Sequence, residues 1–222
     1  MCINKLKYGE ITGLTNPETY RMFSDKSSFF ATWSKYIAEC EEWGQGYKQS
    51  MALRNQLIEE HPFLDSLEYY CGYGYKRINR YLRSSTKDPS MDATIASLTY
   101  IICTAPPLQE NIILYRKACS EMINKLIDKN KHNHPYIEKG FLSTSYLKQG
   151  ISEVAGSAIL KIYAGAKMRG VCVDLLDGLH RNEFEFLFCP NVWLRLVNYP
   201  YKDEETGLQV YECHAFHPVV MF

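Results

Sequence analysis

Asn182-Glu183-Phe184-Glu185-Phe186-Leu187-Phe188 alternates acidic with aromatic side chains at a period of two. In an extended chain, alternate side chains share a face. The pattern therefore predicts a strand over 184–188 with Phe184, Phe186 and Phe188 turned together into a core. Glu183 and Glu185 then project together from the opposite face, roughly 7 Å apart at two residues of strand rise. Taken alone, an edge strand with a solvated acidic face explains this pattern better than a site does.

The segments around this one are also strand-like. Phe141 to Thr144, Ala158 to Tyr163, Val171 to Leu175, Trp193 to Val197 and Leu208 to Phe216 are rich in β-branched and aromatic residues and bounded by Gly, Pro or Asn. Further upstream, Ile112 to Tyr115 predicts a short buried strand. An amphipathic helix with Met122, Ile123, Leu126 and Ile127 follows it, and then a polar loop from Asp128 to Lys139. Before Asn111 the period changes to three or four. Phe30, Trp33, Ile37 and Cys40 form one stripe, and Met51, Leu57 and Ile58 begin another. Pro62 suits a helix start, and Ser90 or Asp92 caps a helix that Pro106-Pro107 ends. Helices followed by strands predict an α+β fold, not a doubly wound sheet. The organisation expected is a loose polar leader over 1–26 and one domain over 27–222, mainly helical over 27–110 and mainly strand over 111–222.

Composition narrows the function. Of 222 residues, 25 are Lys or Arg and 25 are Asp or Glu, so no net field calls for nucleic acid or a membrane surface. Eight cysteines at irregular spacing, none in a CxxC, read as buried reduced thiols of a chain that folds in the cytosol. The first residues lack the apolar run of a secretory signal, and no stretch is long and apolar enough to span a bilayer.

Two more elements bear on the acidic strand. Gly140-Phe141-Leu142-Ser143-Thr144-Ser145 is a strand ending in three hydroxyls, and Arg116 closes the apolar run from Ile112 at the sheet's rim. Each alone is weak, a turn in one case and a salt-bridge partner in the other. Their order resembles the Arg-Ser-Glu class of bacterial mono-ADP-ribosyltransferase toxins and effectors: strand-Arg, Phe-x-Ser-Thr-Ser, then Glu-x-Glu. Tyr75-Lys76-Arg77-Ile78-Asn79-Arg80-Tyr81-Leu82-Arg83 is similar to the Tyr-x-x-Ile-Asn-x-x-Leu-Arg helix that several members carry ahead of the arginine.

The resemblance implies an ADP-ribosyltransferase fold, a helical half followed by a mostly antiparallel split β-sheet sandwich around an NAD cleft. It implies transfer of ADP-ribose from NAD, the co-substrate, to a side chain of a target protein, with release of nicotinamide. Cleavage leaves positive charge on the ribose, as in glycoside hydrolysis, and a fixed carboxylate stabilises that state. By resemblance this carboxylate is Glu185, with Ser143 holding it and the ribose. Arg116 grips the pyrophosphate with a permanently charged fork. Phe141, Thr144 and Ser145 belong to the NAD-binding set, and Glu183 acts as base toward the acceptor. Relatives that modify arginine carry Glu in that first position, so arginine is the acceptor favoured. The loop from Leu176 to Asn182 lacks the aromatic of some relatives, which leaves a Ser or Thr hydroxyl open. An NAD glycohydrolase and an inactive interaction module are the other readings. The expected setting is a monomer, exported without a signal peptide, that meets a host protein.

Other motifs fit less well. Cys71-Gly72-Tyr73-Gly74 has Arg77 at the third glycine position of a dinucleotide fingerprint and follows no strand, so its glycines read as a turn before Tyr75. His132-Asn133-His134 lies in a polar loop without a nearby cysteine and His214-x-x-His217 in a terminal strand ending at Pro218, and no metal is expected. Cys119 stands at a helix start without a nearby base, and Trp33, Trp43 and Trp193 read as core.

Overall fold

Helix capping sets where the chain enters its helices. Asp25 accepts the Ser28 N–H at 2.8 Å while the Ser28 hydroxyl faces the Asp25 N–H, a capping box that starts the helix Lys26–Thr32. Asp88, with Pro89 at the first helical position, accepts the Ser90 and Met91 N–H groups and starts the helix Pro89–Thr104. The cap is thus Asp88, not Ser90 or Asp92, because the helix begins two residues earlier than its apolar stripe.

The computed structural model describes residues 2–57, 66–152, 155–176 and 184–217. Its helices are α1 (Cys2–Tyr8), α2 (Lys26–Thr32), α3 (Ser34–Leu57), α4 (Ser66–Tyr69), α5 (Tyr75–Arg83), α6 (Pro89–Thr104) and α7 (Ser120–Lys131). Its strands are β1 (Ile112–Ala118), β2 (Tyr136–Glu138), β3 (Leu142–Ser145), β4 (Ala158–Ala164), β5 (Gly170–Cys172), β6 (Glu185–Phe188), β7 (Val192–Leu196), β8 (Tyr201–Lys202) and β9 (Gln209–Phe216). Along the sheet they lie in the order β2-β7-β9-β4-β1-β3-β6-β5, with β8 on β9. All neighbours are antiparallel except β4 and β9. This is the α+β architecture expected: helices in the first half, then a largely antiparallel sheet.

Three apolar clusters hold the layers together. Phe23, Phe29, Trp33 and Tyr36 pack on Leu114, Leu160, Phe186 and Phe188 on one face of the sheet. Tyr70, Ile78, Leu98 and Ile102 cover Phe141, Val171 and Leu187 on the other face of the β3–β6–β5 part. Ile113, Tyr115, Ile159 and Tyr163 form a smaller third cluster.

Several sequence expectations shift. Phe29, not Phe30, occupies the helical stripe; Phe30 is exposed, because α2 and α3 meet at Trp33 and the stripe turns there. Gly72 and Gly74 lie in a π-helical turn over Tyr70–Gly74 that runs on into α5. Residues 173–175 form a 3-10 turn after β5, and the polar loop before Lys139 contains the last turn of α7 and β2. Trp33 is core, whereas Trp43 stacks on Tyr47 at 5.7 Å and Trp193 is half-buried on β7. Ile58 and Pro62 lie outside the described residues. Five of the cysteines are buried free thiols, while Cys103 and Cys119 are exposed. No described helix is long and apolar enough to cross a membrane.

The segment read as a loose leader is docked. Tyr8 and Phe23 are buried, Asn130 donates to the Tyr8 carbonyl at 2.9 Å, and Arg21 bridges to Ile112 as a short parallel extension of the sheet. Its aromatics are isolated among polar residues, so no periodicity announces them. Phe23 stands edge-on to Phe29 and Trp33, each at 5.2 Å. Phe23→Ala is therefore expected to cost about 3 kcal/mol in urea unfolding. A cost below about 0.5 kcal/mol, typical of a surface change, would show that this segment is no part of the core.

Candidate active site

β1 runs its full length against β4 but meets β3 at a single register pair, Tyr115↔Ser145. Beyond that pair the two strands diverge, which splits the sheet into a β2–β7–β9–β4–β1 part and a β3–β6–β5 part. Arg116 stands at the split. It lies in mid-strand, not at the strand's end, because β1 continues to Ala118. Its Nη1 donates to the Ser143 carbonyl at 2.5 Å, and its Nε is buried with no partner among the described residues.

β3 and β6 pair as Ser143↔Leu187, Thr144↔Phe186 and Ser145↔Glu185. Residues directly opposite in an antiparallel pair share a face. Ser145 and Glu185 are therefore side by side, with Ser143 two residues along the same face. Thr144 points the other way, its hydroxyl donating to the Phe186 carbonyl at 2.7 Å. Glu185 is only 9% exposed. Its backbone N–H donates to the Asp174 carboxylate, and Phe184 just before it has φ of 52°. That left-handed residue breaks the expected alternation, so β6 begins at Glu185 and Phe184 is only partly buried beside Phe186 and Phe188. Glu183 lies outside the described residues.

A cleft of about 310 Å³ opens at the split. Arg116, Ser143, Ser145 and Glu185 line one side, and Cys119 and Met122 at the start of α7 line another. Arg83 and Glu138 form part of its wall, and they explain why α5 matters. Glu138, 1% exposed, accepts from Arg83 Nε at 2.9 Å, from the Tyr136 hydroxyl at 3.1 Å and from the Gly140 N–H at 2.8 Å. A buried carboxylate with a cation and two further donors is satisfied. Burial and the adjacent Glu138 push the Tyr136 hydroxyl up, so it stays a proton donor. Asn79 takes the Phe141 N–H at 2.8 Å and donates to the Tyr70 hydroxyl at 2.9 Å. A Cβ on Gly140 would meet Asn79 Oδ1 at 2.7 Å, so only glycine lets α5 sit this close. The Tyr-x-x-Ile-Asn-x-x-Leu-Arg helix thus clamps the strand that carries the hydroxyls.

The cleft fits a dinucleotide's charge. Two guanidinium groups, from Arg83 and Arg116, and the positive end of α7 border it. The Arg116 guanidinium, anchored on the Ser143 carbonyl, brings fixed positive charge to the cleft. On the same side as Arg116 a buried carboxylate stands with two serines, suited to a sugar bearing positive charge.

Not every expected residue is here. Phe141 is fully buried in the second cluster, its ring 5.2 Å from Tyr70, and does not line the cleft. It precedes β3 by one residue, and Asn79 turns it under α5. Thr144 borders the cleft, but its hydroxyl is engaged within the sheet. Arg83, Asn79, Glu138 and Asp174 have no site role in the sequence motifs. Arg83 and Asn79 are legible in the helix motif; Glu138 stands in a stretch read as a polar loop and Asp174 in one read as a strand, and neither carries a signal of its own. Cys119 is exposed and borders the cleft, with no side-chain base bonded to it among the described residues. His132 bonds the Asp128 carbonyl at 2.8 Å, and burial lowers the pKa of His214 and His217. Among the described residues no group of three or more His, Cys, Asp or Glu is gathered for a metal ion.

The fold recurs in solved structures. Plx2a, an ADP-ribosyltransferase toxin from Paenibacillus larvae, superposes with a TM-score of 0.64 at 17% identity, over 88% of this chain and 98% of that one. The C3 exoenzyme of Clostridium limosum gives 0.62 at 13% identity, over 89% and 98%. C3stau2 from S. aureus, solved with NAD, gives 0.58 at 14% identity, over 90% and 100%. Among curated proteins, none matches the sequence. The family model for the ADP-ribosyltransferase exoenzyme matches residues 41–195, which include Arg116, the Ser-Thr-Ser strand and both acids of Glu-x-Glu. The chain therefore belongs to the ADP-ribosyltransferase exoenzyme family, whose members take a single ADP-ribose from NAD.

Proposed function

We propose that this chain transfers ADP-ribose to an arginine side chain of a host protein, with Glu185, Ser143 and Arg116 as its working site and Glu183 as the base toward the acceptor. The observation that carries this reading is that Arg116, Ser143 and Glu185, widely separated in sequence, border one cleft. NAD supplies an N-glycosidic bond to a cationic nicotinamide, whose cleavage leaves positive charge on the ribose. Glu185 faces that charge as a fixed, largely buried anion, which favours the transition state over the ground state. Ser143, and Ser145 opposite Glu185, orient the carboxylate and the sugar. Arg116 and Arg83 hold the diphosphate; Arg116 is anchored on the Ser143 carbonyl, so the anion grip and the hydroxyl strand move together. Glu183 then takes the proton of the incoming guanidinium, a role that rests on its spacing from Glu185. Export to meet a host target follows from the toxins among its structural likenesses, of which Plx2a is one.

Glu185→Gln should lower both nicotinamide release and protein labelling by a factor of about 10³, the scale of losing one preorganised electrostatic group. Glu183→Ala should spare release and abolish labelling of arginine, both read by chromatography and mass spectrometry of a labelled lysate. Labelling that survives Glu185→Gln, or a modified serine in place of arginine, contradicts the respective part of the proposal.

Asp174 tests how Glu185 is held. Asp174→Ala leaves the Glu185 N–H without its acceptor, worth about 1–3 kcal/mol. The expected result is a kcat about tenfold lower with the KM for NAD nearly unchanged. A selective rise in KM would place Asp174 in NAD binding instead.

A further inference from the structure

On the side of the sheet covered by α4–α6, two thiols stand together. Cys103 lies in the last turn of α6 and is exposed; Cys189 directly follows β6 and is buried. Their sulfurs are 3.5 Å apart. Cys189 also points its thiol at the Thr99 carbonyl, 3.8 Å away and one helical turn before Cys103. Both backbones are fixed. Arg169 Nη1 donates to the Cys103 carbonyl at 2.6 Å, and Cys189 is held at the end of a fully buried strand. A disulfide needs the sulfurs to close from 3.5 Å to about 2.05 Å, a displacement of about 1.5 Å.

We propose that Cys103 and Cys189 form a redox site, a dithiol that a small disulfide such as oxidised glutathione converts to an intramolecular bond and that excess thiol reopens. Cys103 reacts first, because it is reached from solvent and burial pushes the Cys189 thiol up. The Cys103 thiolate attacks one sulfur of the oxidant, forming a mixed disulfide and expelling one glutathione thiolate. Cys189 gives up its proton to solvent and attacks the Cys103 sulfur, expelling the second. The two protein thiols lose two electrons and two protons, which the oxidant carries off as two thiols. The Arg169 guanidinium favours the Cys189 thiolate in that second step. The bond ties the end of α6 to the residue after β6, joining the helical layer covalently to the strand that begins with Glu185. It closes a long loop of chain, which is where a cross-link restricts the unfolded state most.

The full chain is incubated in glutathione buffers of graded redox potential, quenched with an alkylating reagent, digested and read by mass spectrometry, with thermal unfolding in parallel. The proposal expects a reversible loss of two hydrogens, a peptide joining Cys103 to Cys189, and a Tm about 5 °C or more above the reduced form. Cys103→Ser, an exposed change, should abolish both signals. Cys189→Ser should leave Cys103 trapped as the glutathione mixed disulfide. A wild-type protein that stops at the mixed disulfide, or pairs either cysteine with another, overturns the proposal, as does a Tm that does not rise.

Discussion

A β-sheet does not part without leaving backbone groups that need new partners, and this one parts between β1 and β3. Continued past Tyr115↔Ser145, the register would set Lys117 opposite Ser143. Instead the strands diverge and the Arg116 guanidinium reaches across to the Ser143 carbonyl. One interaction thus repairs the backbone at the split, fixes the hydroxyl strand and holds a charged fork at the bottom of the cleft it opens. A lysine could supply charge there but not a second, rigidly oriented donor.

The helical half serves the same split from the other side. Asn79 and Arg83 on α5 fasten the chain just before β3, one through the Phe141 N–H and one through Glu138. Gly140 between them lets the helix approach. The β3–β6–β5 part is therefore held by helices on one face and by the aromatic cluster of Phe23, Phe29 and Trp33 on the other. Glu185 inherits that rigidity through its pairing with Ser145 and through the Asp174 carboxylate on its N–H. A buried carboxylate aimed at a developing charge needs such a frame, since its effect depends on not having to reorganise.

Much of this is legible in the sequence because it follows simple periods. The helical stripe of Met122, Ile123 and Leu126 gives α7, and the alternation in Glu-Phe-Leu-Phe gives β6. The order of Arg116, Ser143 and Glu185 points to one site. What escapes has specific causes. An aromatic gives no sign that it will adopt a left-handed φ, so the period alone sets Phe184 in line with Phe186 and Phe188. Phe141 sits one residue outside its strand, where Asn79 rather than alternation decides its direction. Glu138 is paired by Arg83 from a separate helix and Asp174 by the Glu185 N–H from a later strand, and Tyr8 and Phe23 are single aromatics in a polar segment. Long-range hydrogen bonds and isolated anchors leave no local pattern.

The account rests on one cleft taking both ends of the dinucleotide's reactive half. A crystal structure of the chain with a non-hydrolysable NAD analogue tests this most directly. The account predicts the diphosphate against the Arg116 guanidinium, with the nicotinamide ribose between Ser143 and Ser145 and the Glu185 carboxylate hydrogen-bonded to its 2′-hydroxyl. An analogue bound elsewhere, or with its ribose turned away from Glu185, would contradict it.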